Sequence, residues 1–488
     1  MEELKCCHRC RLRLTGERDA TAYHVNPAVA AGEVADALSS DAVCPICLGL
    51  LQTHLTAAAV RKIADAVRAP GYAMRSFSLA IALPVALLVR ERGAWLHLRR
   101  AEAAAAAATD AAASELRPLA AAANVVDLKD ALRWALGDAL SRELGVPYEP
   151  GAALEVQLGA THSATGGEHL VLKPLLDAQQ PAASRGRKRG GGGRDYDGPT
   201  WQTAPESDST RSVLRALGTW SADDLVGKCA GLCPPAAVER PCALSVVVER
   251  APLCIEGRYR KLSRQLPQSP WVLDGERKCP SSVHEQLERH ALDAFGAAAT
   301  RFHAAGREDV DVRMLGGGRP FVLELLEAKA AEQPMAEALA ALAARINGGG
   351  GPVEVEELRV CDASVIGGLL KEGEESHRKH YRCVVRLSRR VGAADVATLA
   401  GAGELKLQQK TPLRVLHRRT QAVRERAVYA MEAKILGPRF LLLDLTTQAG
   451  TYVKEFVHGD LGRTTPNVGA LLGCEADILQ LDVVGLQG

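Results

Sequence analysis

Four cysteines and one short run of charges are the residues whose types and spacing could do chemistry in this 488-residue sequence. Cys7-x2-Cys10 and Cys44-x2-Cys47 flank roughly thirty residues, and two such knuckles can converge to place four thiolates tetrahedrally around one Zn²⁺. Cys6 and His8 leave the register open by one residue, and unrelated buried or redox thiols are the bland alternative. A base-deaminating site would need an HxE ahead of a PCxxC so that a glutamate works beside the metal. Here Pro45 lies inside the second pair and no HxE precedes it, so the expected zinc is structural.

The second cluster is GREDVDVRMLGGGRPF, residues 306–321. Read as a strand over 310–314, period-two alternation puts Asp309, Asp311 and Arg313 on one face and Val310 and Val312 on the other. A carboxylate and a guanidinium then share a surface, although an ion-pair network on a solvent-facing sheet would look the same. A third feature is charge. Residues 377–426 hold thirteen Lys or Arg against three acids, enough for a phosphate-binding face if those charges share one side. Scattered over several solvated faces they would do nothing of the kind. The formal net charge of the chain is only +2, so any such face is local.

Other chemistries lack their motifs. Gly227-Lys228 is followed by Cys229, so there is no phosphate-binding GxxxxGK[ST], and no GxGxxG opens a helix after a strand. Neither a nucleotide nor a dinucleotide cofactor is expected. The longest apolar run, residues 79–89, is eleven residues and contains Pro84, about half of what a bilayer span requires, so no membrane is expected. Thirteen cysteines without an apolar leader point to a reducing compartment, cytoplasmic or nuclear.

The elements that must position these residues are legible in part. The length calls for two to four domains, and with 4% aromatics the core must be built mainly from Ala, Leu and Val. Residues 85–98, 154–158 and 170–175 read as strands. Asp127 can cap a helix with the stripe Leu128, Leu132, Leu136, Leu140. The Ala-rich run 101–123 reads as an insertion, and 181–199, with four consecutive glycines among five Lys or Arg, as a disordered linker. Beyond residue 240 the texture changes. Strands are expected at 244–255, 310–314, 321–326, 353–360, 380–387, 428–435, 440–445 and 478–484, and Ser282 with Glu285 makes a capping box for a helix running to about residue 303. Many strands and few helices imply an α+β domain on a largely antiparallel sheet.

Four blocks carry a resemblance: GRYRKLSRQLPQSPWVLDGERK (257–278), GREDVDVRMLGGGRPF, TPLRVLHRRTQAVRERAVY (411–429) and AGTYVKEFVHGDLGRTTPNVGALLGCEADILQLDV (449–483). Together they closely resemble the archaeal and eukaryotic tRNA pseudouridine synthase 10 family, while the N-terminal half resembles it mainly through the CxxC pairs and the CPP of 233–235. The resemblance implies a pseudouridine synthase catalytic domain over 241–488. Ahead of it would come a zinc-binding module over 1–60 and a THUMP-containing α/β RNA-binding region over 61–240. It further implies isomerisation of uridine to pseudouridine in the T arm of tRNA, at uridine 54 with 55 as a second target, without an organic cofactor.

In that comparison Asp309 aligns with the family nucleophile. Geometry alone leaves Asp311 as a second candidate. Tyr381 and Tyr452 match the substrate-contacting tyrosines, and Lys454, in GTYVK, resembles the basic residue that pairs with the catalytic aspartate in bacterial T-loop synthases. Arg307 and Arg313 are candidates for phosphate contact, and Leu471 or Leu472 for the floor of the uracil pocket. The expected partner is tRNA; the sequence names no protein partner. The competing readings are an RNA-binding scaffold that retains the fold with little or no catalysis, and another THUMP-associated tRNA modifier, which would need a cofactor loop that is absent.

Overall fold

The computed structural model describes residues 4–24, 42–108, 120–178, 210–219, 222–228, 231–331, 335–374, 378–417 and 419–487. The Gly/Arg-rich segment 181–199, residues 109–119 of the Ala-rich run and Arg418 of the basic segment lie outside the described residues. The chain divides into two compact units between Arg250 and Ala251.

In the first unit β1 (Ser78–Ala82) pairs parallel with β2 (Leu154–Thr161), which pairs antiparallel with β3 (Ala243–Arg250). Along β2 the alternation is regular, with Leu154, Val156, Leu158 and Ala160 facing inward. The Asp127 side chain accepts from the Lys129 amide and starts the helix Leu128–Leu144, whose Leu128, Leu132, Leu136 and Leu140 are all buried; Gly145 ends it in the left-handed region. That helix and Ala57–Arg68 share one core with Leu4, Leu14, Tyr23, Ile46 and Leu50, so residues on both sides of position 60 pack together.

Two expected strands here are helices. Residues 85–98 fall in the helix Ala86–Ala108, which is apolar on two sides: Leu87 and Ala94 pack into the main core, Val89 and Leu96 into a second cluster. Burial on both sides erases the single apolar stripe that a sequence reading looks for. Residues 170–175 span a 3-10 turn, Glu168–Leu172, and the helix Lys173–Ala178, which sends Leu172 and Leu176 to that same second cluster.

The second unit holds β4 (Leu253–Lys261), the short hairpin of β5 (Val272–Leu273) and β6 (Glu276–Arg277), β7 (Ala299–Ala304), β8 (Val312–Leu326), β9 (Val353–Cys361), β10 (Arg378–Leu387), β11 (Leu405–Lys410), β12 (Val423–Gly437), β13 (Phe440–Gln448), β14 (Thr464–Thr465) and β15 (Ala476–Gln487). Among the described residues, one ten-stranded sheet runs in the order β14-β11-β12-β13-β10-β15-β8-β4-β9, with β7 added on β8. Its pairings are antiparallel except β15 with β8, where Leu481, Asp482 and Val483 lie beside Val312, Arg313 and Met314. The unit is thus α+β on a mainly antiparallel sheet, and the single parallel seam joins its two halves.

Three differences from the sequence reading have plain causes. The expected strand 244–255 is two strands in different units, because Pro252 has no amide to give a ladder. The helix expected to reach residue 303 is Val283–Phe295. Ser282 caps it, a stripe of Val283, Leu287, Ala291 and Phe295 buries it, and Gly296 in the left-handed region stops it so that 299–304 can pair with β8. The strands expected at 310–314 and 321–326 are one strand, β8, that continues through three glycines. A Cβ on Gly316 would stand 2.1 Å from the Val484 carbonyl oxygen, so only glycine lets β8 pass β15 there.

Candidate active site

The charged cluster sits at the parallel seam. Asp309 and Asp311 do not alternate along a strand as expected; they lie in the turn ahead of β8. The buried Lys261 ammonium donates to the carbonyl oxygens of Asp309 (2.8 Å), Val310 (3.0 Å) and Leu266 (2.8 Å), which takes these backbone groups out of any ladder. Burial brings Lys261 down to about 8. Alternation begins only at Val312, which faces the seam, while Arg313 turns away to a two-bond pair with Asp482 at 2.9 and 2.6 Å.

Asp309 is held from one side by Arg414, whose Nη1 lies 2.8 Å from Oδ2. The same guanidinium is fixed by Glu455, with Nε 2.7 Å from Oε1, and the Glu455 side chain is 1% exposed. Lys454 also reaches Asp309, at 3.4 Å, but its ammonium is 2.7 Å from both carboxylate oxygens of Asp311. Burial alone would raise the Asp311 carboxyl, yet the bond to Lys454 holds it below its ordinary value. The nearer cation on Asp309 is therefore Arg414, and Lys454 bridges the two aspartates.

Beneath this turn lies a buried network. Glu308, with a side chain 1% exposed, accepts from the Tyr259 hydroxyl at 3.0 and 3.1 Å and from Arg319 Nε at 2.9 Å. Gln268 Nε2 donates to the Tyr259 oxygen (2.8 Å) and to the Gly306 carbonyl (2.9 Å). Burial and the neighbouring Glu308 push the Tyr259 hydroxyl well above its ordinary value, so it stays a donor. A buried carboxylate is tolerated only when it is paired and bonded in this way, and the result is a rigid base under Asp309.

Tyr381 is on β10, half-buried against the core, and desolvation pushes its hydroxyl up to about 12. Tyr452 opens the short helix Val453–His458 and is held by its backbone. Buried Gln409 on β11 accepts from the Tyr452 amide and donates to its carbonyl oxygen, both at 3.0 Å. Tyr381 and Tyr452 line one cavity of about 420 Å³ together with Arg307, Asp309, Arg414 and Lys454. Its apolar lining comes from Val312, Val415, Val453, Leu481 and Val483, and its further cations from Arg319, Lys379, Arg419, Arg424 and Arg426. A second cavity, also about 420 Å³, shares Arg307, Asp309, Arg414 and Lys454 and continues past Pro267 and the half-exposed Trp271, so Asp309 stands between the two. Both volumes suit a nucleotide-sized ligand.

Three expected site residues stand elsewhere. Arg313 pins β8 to β15 through Asp482. Leu472 is buried with its carbonyl accepting from Arg389 at 2.7 Å, and Leu471 packs against the core; neither lines the cavity. Conversely Arg414, Glu455, Gln409, Arg319 and Lys379 were not singled out one by one. Glu455 was findable, as a carboxylate between Lys454 and the apolar pair Phe456 and Val457.

The four cysteines of the first unit form a separate centre. The Sγ atoms of Cys7, Cys10, Cys44 and Cys47 lie within 4.8 Å of one another, all buried. Cys7 and Cys47 are 3.9 Å apart, close to the edge of roughly 3.8 Å of a tetrahedron with Zn–S bonds of about 2.3 Å. Cys6 and His8 are outside this set, which fixes the register. The donors fit a thiophilic ion, and four cysteines leave no open position for a substrate.

A family model described as "Pus10, C-terminal" matches residues 254–487, and one described as "Eukaryotic Pus10, N-terminal" matches 44–245. The chain belongs to the Pus10 family of pseudouridine synthases. A Mus musculus "tRNA pseudouridine synthase Pus10" is 38% identical over 90% of this chain and 78% of its own length. The Homo sapiens protein of that name is 35% identical over 97% and 82%. Among solved structures, a Cbf5-Nop10-Gar1 complex aligns with 47% of this chain and 48% of its own at 18% identity and a TM-score of 0.27. Among the described residues no helix is long and apolar enough to cross a membrane.

Proposed function

We propose that this chain isomerises uridine to pseudouridine in the T arm of tRNA, at uridine 54 with 55 as a second target, and that Asp309 is the nucleophile. The observation that carries the reading is the placement of Asp309: paired with Arg414 and Lys454, backed by a buried network, and open to a cavity that holds both tyrosines. A carboxylate in that setting can attack C1′ of the ribose or C6 of the base and later leave. Asp311 fits the role less well, being 63% exposed and engaged at both oxygens by Lys454.

To reach this cavity a uridine must leave its stack, and the cost of unstacking has to be offset by grip on the phosphates and on the base. Arg307, Arg419, Arg424 and Arg426 supply cations at the rim, and the rings of Tyr381 and Tyr452 supply stacking, about 1 to 3 kcal/mol per base. Arg313 is occupied by Asp482, and the valines and Leu481 replace Leu471 and Leu472 as the floor. The first unit would grip the rest of the tRNA through a THUMP-type module, its four cysteines holding a structural Zn²⁺. No organic cofactor enters the reaction, since breaking C1′–N1 and joining C1′ to C5 conserves all atoms.

The test is pseudouridine mapping on an unmodified tRNA transcript incubated with the purified chain and no added cofactor, beside Asp309→Asn. Product in the T loop with wild type alone, and tRNA binding retained by the variant, is the expected result. Normal turnover by Asp309→Asn overturns the assignment. Equal absence of product from both, with binding intact, returns the scaffold reading.

A further inference from the structure

The proposed chemistry places negative charge on the uracil, and the residues discussed so far do not meet it. Asp309 adds a bond at C1′ while C1′–N1 breaks, and the bonding pair passes into the ring and spreads over N1, O2 and O4. C5 then closes on C1′, the carboxylate leaves with its pair, C5 gives up its proton and N1 takes one. If Asp309 instead adds at C6, the displaced pair moves through C5 and C4 to O4. Either way, density builds on uracil oxygens before any proton moves. A cation aimed at those oxygens lowers the barrier because it gains strength only as the charge develops. Arg414 and Lys454 are occupied by carboxylates.

Lys379 is differently placed. It stands two residues before Tyr381 on β10, so the two side chains leave the same face of the strand, and both line the cavity. Its Nζ lies 3.8 Å from where a Cβ on Gly306 would be, beside Arg319 Nη1 at 2.9 Å from that point. Gly306 is in the left-handed region at φ 88°, and a side chain there would strike the Arg319 guanidinium, so the bare glycine leaves the loop open to both cations. Among the described residues no hydrogen bond engages the Lys379 ammonium; its charge is felt by Glu308 and opposed by Arg319. Partial burial first, then Arg319, bring it down to about 8, as expected of a half-buried cation short of negative charge.

We propose that Lys379 is a further catalytic residue, whose ammonium donates to a carbonyl oxygen of the flipped uracil and takes the negative charge that builds there as the glycosidic bond breaks. The proposal rests on the functional reading above. Arg319 and Glu308, bonded to each other, set the field around it, and Tyr381 stands beside it on the same strand face.

The experiment compares single-turnover C-glycoside formation on tRNA transcripts made with uridine or with 5-fluorouridine, whose ring carries negative charge more readily. Lys379→Met is expected to slow the uridine transcript on the order of 100-fold while the 5-fluorouridine transcript loses at least about tenfold less. Lys379→Arg, which keeps a cation, falls by less than about tenfold, and the tRNA dissociation constants of both variants stay within about threefold of wild type. Equal losses on the two transcripts overturn the proposal, as does a loss explained by weaker tRNA binding. A larger isotope effect on 5-deuterouridine in Lys379→Met than in wild type also overturns it, by assigning Lys379 to the C5 proton. Should Lys379→Met fail to fold, the arginine variant decides, and one with no activity counts against. If wild type itself makes no pseudouridine while Asp309→Asn is equally silent, the functional reading falls and takes this inference with it.

Discussion

The four cysteines of the first unit come from two short stretches of sequence, are all buried, and among the described residues form the group whose ligand atoms could share an ion. Asp309 and its neighbours come from the turn ahead of β8, from β10, from the 3-10 turn Leu413–Val415 and from the helix Val453–His458, and most remain open to a cavity. The first arrangement offers four like donors to one ion and leaves no fifth position for a substrate. In the second, Arg414 and Lys454 each divide their charge between two carboxylates, so a pairing can change when substrate arrives. A closed set of ligands holds a fold together, whereas an open set of partly shared charges can do chemistry.

The sharpest way to break that contrast is to open the closed site. Replacing Cys7 and Cys44 by serine is expected to release the metal and unfold the first unit, since a structural zinc supplies on the order of 10 kcal/mol or more. Metal analysis by mass spectrometry should give one zinc per wild-type chain and none in the variant. Calorimetry should lose one transition while the second unit keeps its own, because the two units have separate cores. A first unit that melts as wild type without its metal would show that the cysteines are not the closed centre described here.

The next largest effect separates holding from chemistry inside the second unit. Arg414→Met leaves Glu455 as a buried carboxylate without its partner, which costs about 3 kcal/mol, the low end for a buried pair because Arg414 itself is 37% exposed. It also removes the nearest cation from Asp309, for an expected drop on the order of 100-fold in single-turnover rate. Adding Glu455→Leu should restore the melting temperature but not the rate. Recovery of both would make Arg414 a purely structural residue.

How much of this was legible in the sequence divides along the same line. The cysteine spacing was sufficient for the closed site, because ligands of one chemical type at short spacing need only a turn to converge. The capped helices beginning at Leu128 and Val283 were readable too, since each has one buried stripe. The helix Ala86–Ala108 was not, being buried on two sides, nor was the turn that carries Asp309, which a distant lysine at 261 holds out of the strand. Arg414 was visible as one of many basic residues. Its role depends on β11, β12 and the helix after Tyr452 meeting in space, which no local pattern encodes.

Dependence on pH probes the open site more gently. Lys379 is protonated below about 8 and loses its charge above it, so a step that needs the ammonium slows as pH rises through that value. The groups that set this are Glu308, which favours the charged form, and Arg319 with burial, which disfavour it; Tyr381, up at about 12, stays protonated throughout. The single-turnover rate should therefore fall severalfold between about pH 8 and pH 9, and Lys379→Arg should carry its plateau higher. A fall of the same size in the arginine variant would assign the pH dependence to another group.

The smallest effect settles which aspartate matters. Asp311 is mostly exposed, so its pair with Lys454 is screened from the carboxylate side and worth about 0 to 1 kcal/mol, and Asp311→Asn should slow turnover less than about fivefold. Removing that carboxylate also frees Lys454, already 3.4 Å from Asp309, to close on it and offset part of the loss. The comparison is with Asp309→Asn, which removes the nucleophile itself. If the two variants are equally dead in product mapping, the turn ahead of β8 acts as one unit and the division of labour between its aspartates is wrong. If Asp311→Asn turns over while Asp309→Asn does not, the partner that Lys454 gives up is shown to be dispensable and the one it keeps is not.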